Sequence, residues 1–161
     1  MYVPSTNTYT DMSMSRRRNK QKKPGKVTLA QILGYGGGSR LDQGGDLYTD
    51  AVTHGSTNLP TRFERLELLG DAVIGLAVAE GLMHLHNEGE MTAARSKIVC
   101  RRNLNRVAVG LGLHRALRHN VGNVEKTDLP GNCLEAVVGA VFLDLGYGMA
   151  ARFAKAWLMK K

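Results

Sequence analysis

The chain has 161 residues and a formal net charge of +8, which suits one domain with a real core. No uninterrupted apolar run approaches the roughly 18 residues of a membrane span, and no signal-peptide hydrophobic region is visible. Cys100 and Cys133 are the only cysteines. That is too few for a disulfide framework or a zinc site, and reduced thiols fit an intracellular protein.

Residues 1–27 hold Arg16, Arg17, Arg18, Lys20, Lys22, Lys23 and Lys26 against a single acid, Asp11. The segment is polar and has no apolar period, so it reads as a disordered basic tail. It could be an address, a nonspecific nucleic-acid tether or a solvated tail, which leaves nucleus, mitochondrion and cytoplasm open.

Residues 28–161 read as one helical domain. Thr28 can cap a short helix through Tyr35, stopped by Gly36, Gly37 and Gly38. A second helix is expected from Asp46 to about His54. After Pro60 a long helix is expected over about Thr61–Asn87, with Leu66, Leu69, Val73, Leu76, Ala77 and Leu82 at helical spacing. Its length suggests a central, buried element. Thr92 can cap a helix over about 92–111, ended by Gly112. A short turn at 113–119 and a polar loop at 120–131 follow, then helices Asn132–Leu145 and Gly148–Lys161. Period-two alternation is scarce, so the fold class is all-α.

The long helix carries Glu64, Glu67 and Asp71 at offsets of three and four residues. Those offsets stack on one helix face, about one turn apart. Carboxylates so placed repel one another, which makes the row a candidate site for a hard cation. A second acid, Glu135, stands in a nearly all-apolar helix, where a lone carboxylate is costly unless paired or bound to metal. Packed together, the two helices would unite Glu135 with Glu67 and Asp71, and Gly70 and Gly139 would allow close backbone approach. Alternatively Glu135 pairs with an arginine, Arg65 or Arg95. The five histidines show no ligand spacing, and His54 reads as structural.

The stretch Glu64-Arg-Leu-Glu-Leu-Leu-Gly-Asp-Ala-Val73 closely resembles the signature of the ribonuclease III family, endonucleases that cut double-stranded RNA. Asp50-Ala-Val-Thr-His-Gly-Ser56, the segment Glu88–Val99 and the helix Leu134–Asp144 resemble further family blocks, in the family's order. The resemblance covers about 28–158. It implies a helical endonuclease domain that dimerises through the signature helix, as a homodimer or with a related domain. It implies Mg²⁺ as cofactor, with Mn²⁺ able to substitute, and double-stranded or structured RNA as substrate. The metal positions fall on Glu67, Asp71, Asn132 and Glu135, of which Glu67, Asp71 and Glu135 are the catalytic carboxylates. Glu64 and Glu88 match auxiliary acids near the site across the dimer interface.

Three departures from the family stand out. Asn132 replaces an acid. Leu68 stands where the family usually has a Phe that plugs the partner subunit, so it belongs at the dimer interface. No double-stranded-RNA-binding domain is expected to follow. RNA affinity is therefore expected from the tail, a partner protein or the domain itself. Arg95, Lys97, Arg101, Arg102 and Arg106 lie in an acid-free stretch, with Arg95, Arg102 and Arg106 sharing a helical face. Two functions stay open: a Mg²⁺-dependent endoribonuclease, weakened or partner-assisted by Asn132, and an inactive RNA-binding subunit of a ribosome or RNA-processing complex. A basic-tailed RNA-binding module whose acids form ion pairs is a third.

Overall fold

The computed structural model describes residues 46–160 except His86. The tail and the helix expected over Thr28–Tyr35 lie outside these residues. The described residues are helical: α1 (Asp46–Ala51), α2 (Phe63–Gly81), α3 (Glu88–Val99), α4 (Arg101–Gly110), α5 (Leu113–Ala116) and α6 (Leu129–Leu158). They contain no strand, only one isolated bridge between Thr53 and Arg118. The all-α class holds.

The core is the crossing of α2 on α6. Phe63, Leu66, Gly70, Val73, Ile74, Ala77 and Val78 recur at helical spacing and are buried. They meet Leu134, Val137, Val138, Gly139 and Val141 of α6, also buried. The backbones touch at two glycines. A Cβ on Gly70 would stand 1.8 Å from the Glu135 carbonyl oxygen, and one on Gly139 would stand 2.3 Å from that of Leu66. Only glycine permits that approach.

Several boundaries differ from the sequence reading. α1 stops at Ala51, because the chain then turns to pair with the far loop. His54 N–H donates to the Arg118 carbonyl at 3.0 Å and Arg118 N–H to that of Val52 at 2.7 Å. His54 has the structural role expected of it. Its Nδ1 accepts from Ser56 N–H at 3.2 Å, and its ring stands edge-on to Phe63. α2 ends at Gly81 instead of near Asn87. Gly81 packs so tightly on Met159 that a Cβ would lie 2.7 Å from its sulfur. Leu76, expected on the buried face, is 58% exposed.

The helix expected over 92–111 is two helices. Cys100 is extended (φ −65°, ψ 145°), and Asn103 Nδ2 donates to the Ile98 carbonyl at 2.7 Å, satisfying an end of α3. Asn87 rather than Thr92 caps α3, its side chain accepting from Glu90 N–H at 2.9 Å. α6 begins at Leu129, inside the expected loop, and breaks at Gly146 (φ 79°) between the two helices expected there. By length and mean hydropathy alone α6 could cross a membrane, contrary to the sequence reading. Here it is the core helix, and more than half of its most apolar stretch is buried in the domain.

Candidate active site

One exposed edge of the α2–α6 crossing opens into a cavity of about 570 Å³. α2 contributes Glu64, Glu67, Leu68 and Asp71, and α6 contributes Gly131, Asn132 and Glu135. Val99, Arg101 and Leu104 close it from the α3–α4 side. The three carboxylates read as catalytic and the four residues read as metal ligands therefore share one hollow.

The charges strain against one another. Burial, helped by Asp71 and Glu67, pushes the Glu135 carboxyl up to about 7, while Arg101 pulls it back. Glu67 is raised as well, by burial first and then by Glu64, with Arg101 again opposing. Arg101 is the only cation among the described lining residues. Its guanidinium does not sit on the carboxylates, because it donates to Asp128 Oδ2 at 2.9 Å. Neither Arg65 nor Arg95 forms an ion pair with Glu135, so the alternative reading of that residue is not what the structure shows. The Arg95 guanidinium lies over Gly75 instead, within about 3.4 Å of where a Cβ would be.

The donor set suits a hard divalent cation: three carboxylates and one amide oxygen, with no sulfur or imidazole. A cation would offset the burial and the repulsion that raise Glu135 and Glu67. Among the described residues no three acidic, His or Cys side chains already stand close enough to hold an ion as a group.

The comparisons with known proteins bear on this geometry. The family model described as ribonuclease-III-like matches residues 45–161. This chain belongs to the ribonuclease-III-like family. It is 40% identical over 139 residues to ribonuclease 3 of Zunongwangia profunda, covering 78% of this chain and 54% of that protein. It is 32% identical over 157 residues to ribonuclease 3 of Mycoplasmoides pneumoniae, covering 92% and 55%. The chain thus spans about half the length of the curated relatives it matches. A structure of the ribonuclease III nuclease domain of Campylobacter jejuni superposes with a TM-score of 0.69 at 27% identity, covering 81% of this chain and 96% of that one. That structure is described for flexibility in the region involved in dimer formation.

Within this family frame the remaining expected residues fall unevenly. Glu64 lines the cavity of its own chain, with its carboxylate folded against Gly55. Glu88 does not line it. It opens α3, where it accepts from Thr92 Oγ1 at 2.8 Å. Leu68 is 75% exposed and, with Ala72 and Leu76, forms an apolar row on the outer side of α2. Arg95, Lys97, Arg101, Arg102 and Arg106 are all exposed. The break at Cys100 places Arg95 and Lys97 on α3 and the other three on α4, so the single face expected for Arg95, Arg102 and Arg106 does not exist.

The sequence reading missed Asn105 and Asp128. Asn105 Nδ2 donates to Asp128 Oδ1 at 3.0 Å, and Asn105 Oδ1 accepts from Gly131 N–H at 2.7 Å. The available signal was an asparagine inside a helix, a residue that favours local hydrogen bonds over helical ones.

Proposed function

We propose that this chain is the nuclease domain of a divalent-metal-dependent endoribonuclease acting on double-stranded or structured RNA. The observation that carries this is the convergence of Glu67, Asp71 and Glu135 with Asn132 in one cavity, at a pair of helices matching the family signature. Glu67, Asp71, Glu135 and Asn132 would hold Mg²⁺ or Mn²⁺. Such an ion supplies positive charge where negative charge develops on the phosphoryl group under attack.

The chain's own residues do the rest. The helical offsets of α2 hold Glu67 and Asp71 on one face, and the glycine crossing brings Glu135 to them. Arg101, tethered by Asp128 at the rim, offers a guanidinium to an RNA phosphate without neutralising the carboxylates. Arg102 and Arg106 on α4, with Arg95 and Lys97 on α3, extend the positive surface. Contacts of that kind read duplex RNA by its backbone and shape. The apolar row Leu68, Ala72 and Leu76 suits pairing with a second such domain, either a copy of this chain or a relative. The free thiols Cys100 and Cys133 favour an intracellular setting.

Asn132 favours a second reading, an RNA-binding subunit without activity. An amide oxygen can ligate a hard cation but brings no charge, and among the described residues no three acidic, His or Cys side chains stand close enough to hold one as a group. Incubation of the full chain with perfect duplex RNA and Mg²⁺ or Mn²⁺, beside Glu135→Ala, separates the two. Cleavage that disappears in the variant is expected. RNA binding by the folded protein with no cleavage under either ion would establish the inactive subunit.

A further inference from the structure

The nuclease reading leaves unexplained how the α6 half of the cavity is held in place. Asn132 and Glu135 follow within four residues of Gly131, in the first turns of α6. A helix start has unpaired backbone N–H groups, and one lining a polar cavity needs partners for them. Here those of the first turn, residues 129–132, are accounted for. Leu129 N–H donates to Thr127 Oγ1 at 3.3 Å. Pro130 has no N–H. Asn132 N–H closes the first helical bond, to the Asp128 carbonyl at 3.1 Å. That leaves Gly131.

Asp128 occupies the N-cap position, where a carboxylate ordinarily accepts from the first turn, yet its side chain makes no capping bond. Both of its oxygens are turned toward α4, one to Arg101 and the other to Asn105. The cap for Gly131 comes instead from another helix, through Asn105 Oδ1 at 2.7 Å. The fit is close as well as polar. A Cβ on Gly131 would stand 2.6 Å from that oxygen and 3.3 Å from the Asn105 backbone nitrogen.

We infer that Asn105 is a positioning residue for the metal site. Its amide joins the Asp128 carboxylate to the Gly131 N–H, which fixes the axial position and rotation of the first turn of α6. Those two quantities decide where Asn132 and Glu135 project relative to Glu67 and Asp71. Asparagine suits the place because it must donate to a carboxylate from one end and accept from an N–H at the other. The same linkage holds Arg101 at the rim through Asp128. This inference rests on the nuclease reading of the cavity and adds to it a residue outside the lining.

The test exchanges the two partners. Asn105→Asp puts a second carboxylate against Asp128, and repulsion draws the anchor off Gly131. The double variant Asn105→Asp with Asp128→Asn restores every bond: only the one between the two side chains reverses direction, while position 105 still accepts from Gly131 N–H and position 128 keeps an acceptor for Arg101. Mn²⁺ binding to the full-length chain, followed by electron paramagnetic resonance, is read beside thermal melting. Asn105→Asp should weaken Mn²⁺ binding by about tenfold, as is usual when a group supporting a ligand is lost. The exchanged double variant should return to within about twofold of wild type, a coupling that independent sites do not show.

A purely structural Asn105 would lower the melting temperature and leave Mn²⁺ affinity below the melt unchanged, which overturns the inference. So does a double variant as weak as the single one. Should Asn105→Asp fail to fold, the double variant decides by itself: near-wild-type affinity supports the assignment and a tenfold loss overturns it. Failure of the wild-type chain to bind Mn²⁺ strikes first at the nuclease reading, and the wild-type arm shows this separately.

Discussion

The two halves of the cavity are built by different means. Glu64, Glu67 and Asp71 stand on α2 at helical offsets, so forming that helix is enough to align them. Asn132 and Glu135 stand on α6, and their direction depends on contacts with two other helices: the Gly70–Gly139 crossing with α2 and the Asn105–Asp128–Gly131 linkage with α4. The first half is encoded locally. The second exists only after the domain has packed, so substitutions far from the reacting groups should damage it selectively.

The largest effects should come from the carboxylates of both halves. Glu67→Ala and Glu135→Ala should each lower the rate of duplex-RNA cleavage by about a hundredfold or more, measured at saturating Mg²⁺. Equal losses would show that the halves act as one unit despite their different origins.

Packing separates them next. Gly70→Ala places a methyl group into the Glu135 carbonyl, a backbone atom that cannot step aside. A loss of about 3 kcal/mol or more in urea unfolding is expected. Ala72→Gly, on the exposed side of the same helix, should cost about 1 kcal/mol by helix propensity alone.

Asn132→Asp probes the weaker half directly. It restores a charge among the ligands, worth roughly 4 kcal/mol per unit pair at 4 Å in a medium of effective dielectric 20, before desolvation is subtracted. The Mg²⁺ concentration giving half-maximal cleavage should fall by about tenfold. An unchanged midpoint would remove Asn132 from the ligand set.

The smallest effect is in pH. Burial and neighbouring acids raise Glu135 from the ordinary carboxylate value of 4.5 to about 7. Between those values the folded chain retains a proton that the unfolded chain has released, so stability falls as pH rises through that window. Without divalent ions the melting temperature should drop by a few degrees from pH 4.5 to 7, and Glu135→Gln should flatten that slope. Added Mg²⁺ should flatten it too, because a cation favours the ionised form.

Much of this was legible in the sequence, for reasons particular residues make clear. Glu67 and Asp71 were found because helical spacing is a short-range property. The Gly70–Gly139 approach was found because glycine in an apolar helix has few other uses. The break at Cys100 was not, since neither Pro nor Gly marks it. Asn103 bonds to the Ile98 carbonyl and ends α3 there. The outward face of Leu76 was missed because apolar periodicity does not tell a core from a surface that another molecule could cover.

Charge was misread for a related reason. Arg95, Arg102 and Arg106 share a face only on an unbroken helix, and the break instead brings Arg101 to the cavity rim. Asp128 looked like part of a polar loop, and Asn105 like an ordinary helix residue.

By itself the sequence determined the helical class, the acidic row on α2, the presence of a second acid in a buried helix and the glycines that let the two meet. Each follows from spacing along one chain segment or from the properties of one residue type. Tertiary structure alone decided that Arg101 faces Asp128 instead of Glu135, and that the start of α6 is capped from α4. Those are choices among partners distant in the chain. They are settled by which unpaired N–H groups and charges packing brings within hydrogen-bonding reach, and no local pattern records them.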